Sequence, residues 1–337
     1  MSRFLGVLLV AVLFFAAGAS AQTLTLKAAA ALKHRYFGVA LNDVFLADPF
    51  YRKLVSSQFS SLTPENAMKW ESVEPVQGTF DWTGADEASA FAQANGQKLR
   101  GHNLLWESHL PSWLSDKRPS PAVFKDLVEQ HVATEVSRYR GAVDAWDVIN
   151  EPFDDEGHWR AGPLHDTLGD DYVAVALRAA HTADPDAKLY INEHGIEKSG
   201  PKSDALYRLV AALKASGVPI DGIGLQSHFV VGRVPTDLRM ILARFATLDV
   251  DIAITELDLR VGLPANQRSL TEQAADFRFV VTACIQVPRC VGITVWGASD
   301  AHSWIPEFMP GYGDALLFDR RGDPKPAYAA AIEVFRN

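Results

Sequence analysis

Short apolar runs rich in β-branched residues alternate with longer helical stretches along almost the whole chain. The runs are Tyr36–Leu41, Phe59–Thr63, Lys98–Trp106, Val143–Asn150, Lys188–Asn192, Gly222–His228, Ile252–Leu257 and Val291–Trp296. Between them lie helical patterns such as Pro121–Arg138, Asp170–Ala183, Lys202–Ser216, Asp237–Leu248 and Leu270–Ile285, and a last one covers Tyr328–Phe335. Strands separated by helices return parallel to one another through βαβ crossovers. Eight such units in about 300 residues predict a single closed (β/α)8 TIM barrel. An open doubly wound sheet is the alternative, but no Gly-rich phosphate turn follows the first run, and Gly222-Ile223-Gly224 lies inside a strand. Local punctuation agrees with the pattern. Ser120-Pro121 reads as an N-cap and first helical residue, and Gly217 as a helix stop. Ala28–Ala31 reads as the start of a first helix, and no linker or low-complexity tract divides the chain.

The amino terminus reads as an address. Arg3 supplies a positive charge, Phe4 to Ala17 is almost wholly apolar, and Ala19-Ser20-Ala21 forms a small-x-small cleavage site. A signal peptide over 1–21 followed by one catalytic domain over 22–337 is therefore expected, with a secreted, extracellular product that has no membrane attachment after cleavage. The alternative, an uncleaved anchor, needs about 20 apolar residues, more than this run supplies. Export permits a disulfide, and Cys284 and Cys290 are close enough in sequence for a local bridge, although two buried free thiols fit as well. Two cysteines cannot build a Cys-rich metal site. His102, Glu107 and His109 do not have the spacing of a helical zinc motif, so no metal is expected. With 32 basic against 41 acidic residues, the chain shows no basic face for nucleic acid. The Gly-x-Ser-x-Gly elbow of a serine hydrolase is missing too.

Two glutamates stand out by position. The fourth run passes into Asn150-Glu151-Pro152 and the seventh into Thr255-Glu256-Leu257-Asp258. Carboxylates are rare in buried strands unless paired or functional. Glu151 and Glu256 are 105 positions apart, the span of three repeat units, which places them at the ends of strands four and seven on the catalytic face of a barrel. Opposed carboxylates are what glycoside hydrolysis requires: one donates a proton while the other attacks or activates water. Structural ion pairs would explain either glutamate alone. Trp70, Trp106, Trp296 and Trp304, together with Asn66, Lys69, His102, Asn150, Asn192, Gln226 and His228, also fall near predicted strand ends, as a site for stacked and hydrogen-bonded sugar rings would need.

Six strings occur in order: Thr63-Pro64-Glu65-Asn66-Ala67-Met68-Lys69-Trp70, Gly101-His102-Asn103-Leu104-Leu105-Trp106, Trp146-Asp147-Val148-Ile149-Asn150-Glu151-Pro152, Gln226-Ser227-His228, Ile254-Thr255-Glu256-Leu257-Asp258 and Val295-Trp296-Gly297-Ala298-Ser299-Asp300. Together they resemble glycoside hydrolase family 10, the secreted endo-β-1,4-xylanases, from about Tyr36 to Tyr328. The resemblance implies a retaining double displacement on xylan and xylo-oligosaccharides by a monomer that needs no cofactor. Glu151 matches the acid/base and Glu256 the nucleophile, with their carboxyls about 5–5.5 Å apart. His228 matches the residue bonded to the nucleophile, Asp258 stands behind it, and Asn150 matches the partner of the sugar 2-hydroxyl. Glu256 must stay ionised and Glu151 must begin protonated. Glu65, Asn66 and Lys69 match contacts on the glycone side, His102 and Trp106 the wall around the cleaved sugar, and Gln226 a polar contact beside the reaction. Trp296 and Trp304 match an aromatic floor and cover. Cys284 and Cys290 match a family disulfide. Crowding against a hydroxymethyl group implies a preference for xylan over cellulose.

Two departures stand out. Where the family continues Trp-His-Ser-Gln, this chain has Trp106-Glu107-Ser108-His109. His109 then belongs to the sugar-binding set, while Glu107 either enters the cleft as a third carboxylate or pairs with His109, two positions along the same strand. Either arrangement is expected to alter glycone-side contacts and the pH profile, unless both changes are neutral drift. After strand five, Asn192-Glu193-His194-Gly195 lacks the usual aromatic, which removes an expected stacking partner on the leaving-group side.

Overall fold

The computed structural model describes residues 24–117 and 119–337. The expected signal peptide lies outside them. Eight parallel strands form the barrel: β1 (Tyr36–Leu41), β2 (Ser61–Pro64), β3 (Lys98–Trp106), β4 (Ala145–Asn150), β5 (Lys188–Glu193), β6 (Gly222–Leu225), β7 (Asp251–Gly262) and β8 (Cys290–Val295). The sheet closes because β8 pairs with β1, with Gly292 opposite Tyr36 and Val295 opposite Val39. That closure excludes the doubly wound alternative. The strands are almost wholly buried, as expected of parallel strands covered by helices on the outside.

Side-chain size sets how closely neighbouring strands pack. Tyr190 on β5 leans over Gly222 of β6, and Tyr36 on β1 over Gly292 of β8. A Cβ at either glycine would come within 2.0 or 2.4 Å of the tyrosine ring. Arg100 on β3 stacks over Tyr190 at 4.3 Å and pairs with Asp147 on β4. These groups plug the lower end of the barrel and leave the upper end open for a cleft.

Two of the expected strands, Tyr36–Leu41 and Lys98–Trp106, keep their bounds and four shift by one or two residues, within the fraying of element ends. The sixth run departs further. Strand β6 stops at Leu225, Ser227 turns at φ 64°, and a separate strand His228–Val230 pairs with the outer half of β7, His228 opposite Asp258. The Ser227 amide is held at the turn by buried Glu197 at 2.7 Å. This outer pairing, with antiparallel Tyr312–Gly313, explains why β7 runs on to Gly262. Helices Pro121–Arg138, Asp171–Ala183, Pro201–Ala215, Leu238–Ala246 and Gln267–Ile285 fall on the expected stretches. Ser120 is the N-cap of the first, although its side chain makes no capping bond. Gly217, at φ 64°, donates to Lys214 O and ends its helix as expected. Ala28–Ala31 proves to be the body and end of a helix starting at Leu26, because Thr25 caps it.

The carboxy-terminal helix Pro326–Arg336 packs over the closure. Phe335 meets Phe37 edge-on, and Tyr328 Oη donates to Leu24 O at 3.0 Å. Cys284 and Cys290 are bridged, joining the end of helix Gln267–Ile285 to the start of β8, so the free-thiol alternative falls. No helix among the described residues is long and apolar enough to cross a membrane.

Candidate active site

The upper ends of the strands surround a cleft of about 770 Å³. It is lined by Glu65, Asn66, Lys69, His102, Trp106, His109, Asn150, Glu151, Gln226, His228, Glu256, Trp296 and Trp304, among others. Every residue that the resemblance assigned to sugar contact therefore lines one cavity, with Glu151 at the end of β4 and Glu256 on β7. Glu256 extends from β7, and its amide donates to Gln226 O. Glu151 follows β4 in a left-handed conformation, φ 53°, and its amide donates to Asn192 O at 2.9 Å. A non-glycine residue pays roughly 1 kcal/mol for that backbone, here held by the sheet below it.

Each oxygen of Glu256 accepts one hydrogen bond. Asn192 Nδ2 donates to its Oε1 at 2.7 Å, and His228 Nε2 to its Oε2 at 3.1 Å. His228 Nδ1 donates in turn to Asp258 Oδ2 at 2.7 Å, and Trp304 Nε1 also donates to that oxygen at 2.9 Å. Burial alone would discharge His228, but the Asp258 and Glu256 carboxylates raise its pKa to about 10, leaving an imidazolium at neutral pH. Burial likewise pushes Glu256 upward. The His228 hydrogen bond and the nearby histidines outweigh it and hold the carboxyl below the usual range. The split of strand six thus has a chemical result: it swings His228 out of the line of β6 and onto Asp258.

Glu151 is held differently. Gln226 Nε2 donates to its Oε1 at 3.0 Å and Trp106 Nε1 to its Oε2 at 3.2 Å, while Arg160 approaches at 3.5 Å. Asn150 bridges the two halves. Its Oδ1 accepts from Asn192 at 2.9 Å and from Gln226 at 3.5 Å, while its buried Nδ2 has no partner among the described residues. An unpaired buried amide facing a cleft is a donor waiting for a ligand oxygen.

The wall on the Glu65 side is polar and charged. Lys69 Nζ donates to Asn66 Oδ1 at 2.7 Å and lies 5.0 Å from the centre of the Trp106 ring. Burial lowers its pKa, against the carboxylates of Glu256, Glu65, Glu71 and Glu151. Glu65 is pushed upward by burial, opposed by Lys69 and a hydrogen bond from Asn42. His102 Nδ1 donates to Asp147 at 3.0 Å, and its ring meets Trp296 edge-on.

Both expectations for Glu107 are overturned. It neither enters the cleft nor pairs with His109. Strand β3 ends at Trp106, and Glu107–His109 is a 3₁₀ turn, so the period of two does not apply. Glu107 turns away to accept the amides of Leu164 at 2.9 Å and His165 at 3.2 Å. His109 turns back into the cleft, packs on Trp106 at 4.3 Å and pairs with Glu71. Trp70 also leaves the rim set. It is buried, bonded to Glu74 and stacked on His131 at 4.1 Å.

Several site residues escaped the sequence reading. Arg160 Nε donates to Glu151 O at 3.0 Å, yet it lies in an irregular loop with no periodic signal. The Arg100–Asp147 pair beneath His102 was legible only as charge inside apolar strands. On the opposite side of the cleft, His194 lies 3.1 Å from Lys202 and 3.9 Å from Glu151. Lys202 pairs with buried Glu193 at 3.0 Å, whose carboxyl burial pushes up to about 8. With no aromatic at His194, the remaining apolar lining of the cleft includes Phe229, Val230, Pro235, Phe308 and Met309.

The sequence model described as glycosyl hydrolase family 10 matches residues 25–334. Endo-1,4-beta-xylanase A of Phanerodontia chrysosporium is 46% identical over 323 residues, covering 95% of this chain and 79% of that protein. An endo-1,4-beta-xylanase of Agaricus bisporus is 42% identical, covering 89% and 90%. Among solved structures, xylanase 10B of Thermotoga petrophila in complex with xylobiose superposes with a TM-score of 0.91 at 36% identity, covering 94% of this chain and 98% of that one. A glycosylated endo-beta-1,4-xylanase of Gloeophyllum trabeum gives 0.89 at 42% identity, covering 93% and 99%.

Proposed function

The chain belongs to glycosyl hydrolase family 10 and is an endo-1,4-β-xylanase, and from that premise we propose that it cleaves internal bonds of xylan and xylo-oligosaccharides with retention at the anomeric carbon. Glu256 is the nucleophile and Glu151 the acid/base. A Glu256 oxygen attacks the anomeric carbon while the Glu151 proton passes to the glycosidic oxygen, so that bond breaks and the leaving chain departs as an alcohol. The glycosyl ester now carries no charge on Glu256. Ionised Glu151 takes a proton from water, the hydroxide oxygen attacks the same carbon, and Glu256 leaves as a carboxylate.

The observation that carries this reading is the His228 bridge. An imidazolium between Glu256 and Asp258 favours an ionised nucleophile, while Glu151 is held mainly by the neutral donors of Trp106 and Gln226. The unpaired Asn150 Nδ2 supports a role in holding the sugar 2-hydroxyl. Glu65, Asn66, Lys69, His102 and His109 take glycone hydroxyls, and Trp106, Trp296 and Trp304 offer faces to the rings. We read residues 1–21 as a signal peptide and 22–337 as the catalytic domain of a secreted, extracellular, monomeric enzyme. Edman sequencing of the exported protein is expected to begin at Gln22, and any later or earlier start rejects that boundary. Retention is tested by NMR of the first product from soluble xylan. The β-anomer should appear first, and Glu256→Ala should release no reducing sugar. Initial α-product, or a fully active variant, would refute the assignment.

A further inference from the structure

Two segments grip Glu151. One is the end of β3, where Trp106 Nε1 donates to Glu151 Oε2 at 3.2 Å. The other is the loop after β4, where Arg160 donates to Glu151 O at 3.0 Å and to Phe153 O at 3.1 Å, and reaches Glu151 Oε2 at 3.5 Å. These segments are tied to each other by Glu107. It follows Trp106 in sequence, and its Oε1 accepts the amides of Leu164 and His165, four and five residues beyond Arg160. The contacts close a ring: Glu151, Trp106, Glu107, Leu164, Arg160 and back to Glu151. Gly162 is shaped to the tie, since a Cβ there would lie 2.4 Å from Glu107 Oε2. That oxygen is buried and has no hydrogen-bond partner among the described residues, so the hydrogen bonds of the carboxylate run to the loop.

We propose that Glu107 is a positioning residue for proton donation: it fastens the Arg160 loop to the end of β3, so that both grips hold the Glu151 carboxyl against the departing oxygen. It touches no substrate. The proposal rests on Glu151 being the acid/base. A misplaced general acid should handicap only substrates whose leaving group must be protonated.

The test compares kcat/KM on xylotetraose with kcat/KM on dinitrophenyl β-xylobioside, whose phenolate departs without a proton. Both values report the step that forms the glycosyl-enzyme. In Glu107→Ala the ratio of the first to the second should fall on the order of tenfold. Glu107→Gln keeps an oxygen to accept the two amides, and it should preserve the ratio within about threefold. Gly162→Ala reaches the same tie from its other side, and it should reproduce the fall even if Glu107→Ala does not fold. A role in stability alone would lower both constants together. That outcome, or an unchanged ratio in Glu107→Ala and Gly162→Ala, overturns the proposal. Wild-type protein that cleaves neither substrate would instead defeat the xylanase reading on which it stands.

Discussion

The charge on His228 is set by what flanks it. Its two carboxylate partners keep it cationic up to about pH 10, and it in turn keeps Glu256 ionised below the usual carboxylate range. His228→Asn leaves a neutral donor, so the acid limb of the kcat/KM profile should move to higher pH and the plateau should fall on the order of a hundredfold. An unmoved limb would contradict the linkage. Stability follows the same group. Its folded pKa is raised above 6.5, so its contribution is complete below pH 6.5 and is lost as pH climbs towards 10. Glu107 has the same sign in a different window. Burial lifts its pKa from 4.5 to about 7, against the two amide bonds, so the folded state gives up stability as pH rises from 4.5 to 7. In Glu107→Gln the fall of Tm with pH should be shallower across that window; an identical slope would rule this out. At this scale the motif strings announced Glu151 and Glu256 with Trp106, Gln226, His228 and Asp258, but not Arg160. The direction of Glu107 was hidden, because a side chain's aim after a strand end depends on a turn and on amides more than fifty residues away.

Alternation of apolar runs and helical patterns was enough to place all eight strands. It could not show that the sixth run is two strands, because nothing in Gly222–His228 marks a left-handed Ser227 without the buried Glu197 that holds its amide. Close approach between neighbouring strands is equally a matter of partners. Gly222→Ala sets a methyl against the Tyr190 ring and should cost about 2 kcal/mol in urea denaturation; a loss below about 0.5 kcal/mol would mean that the ring simply moves aside. The Cys284–Cys290 bridge joins one helix to one strand across a short loop. Replacing both cysteines by serine should lower stability by about 2 kcal/mol and leave kcat/KM unchanged, since the bridge is remote from the cleft lining. No change in Tm would mean that the bridge adds nothing to the folded state.

Across the whole molecule, sheet closure joins residues near the two ends of the sequence. Tyr36 pairs with Gly292, Phe37 packs on Phe335, and Tyr328 holds Leu24 O. No subset of strands has a closed sheet, so urea unfolding should be a single transition, with far-ultraviolet circular dichroism and tryptophan fluorescence changing together. Two separated transitions would show that part of the barrel stands alone. The repeat count made the fold class legible. The lining of the cleft was less so, because Phe308 and Met309, which help to line it, fall outside the main strand rhythm.

The pairing of β1 with β8 also bears on how the chain is made. Synthesis proceeds from residue 1, and β1 cannot find its last neighbour until residues 290–295 have emerged. Until then the nascent sheet keeps two open edges, and helix Pro326–Arg336 has nothing complete to cover. A nascent chain of this topology therefore cannot finish folding until nearly all of the barrel sequence has been translated.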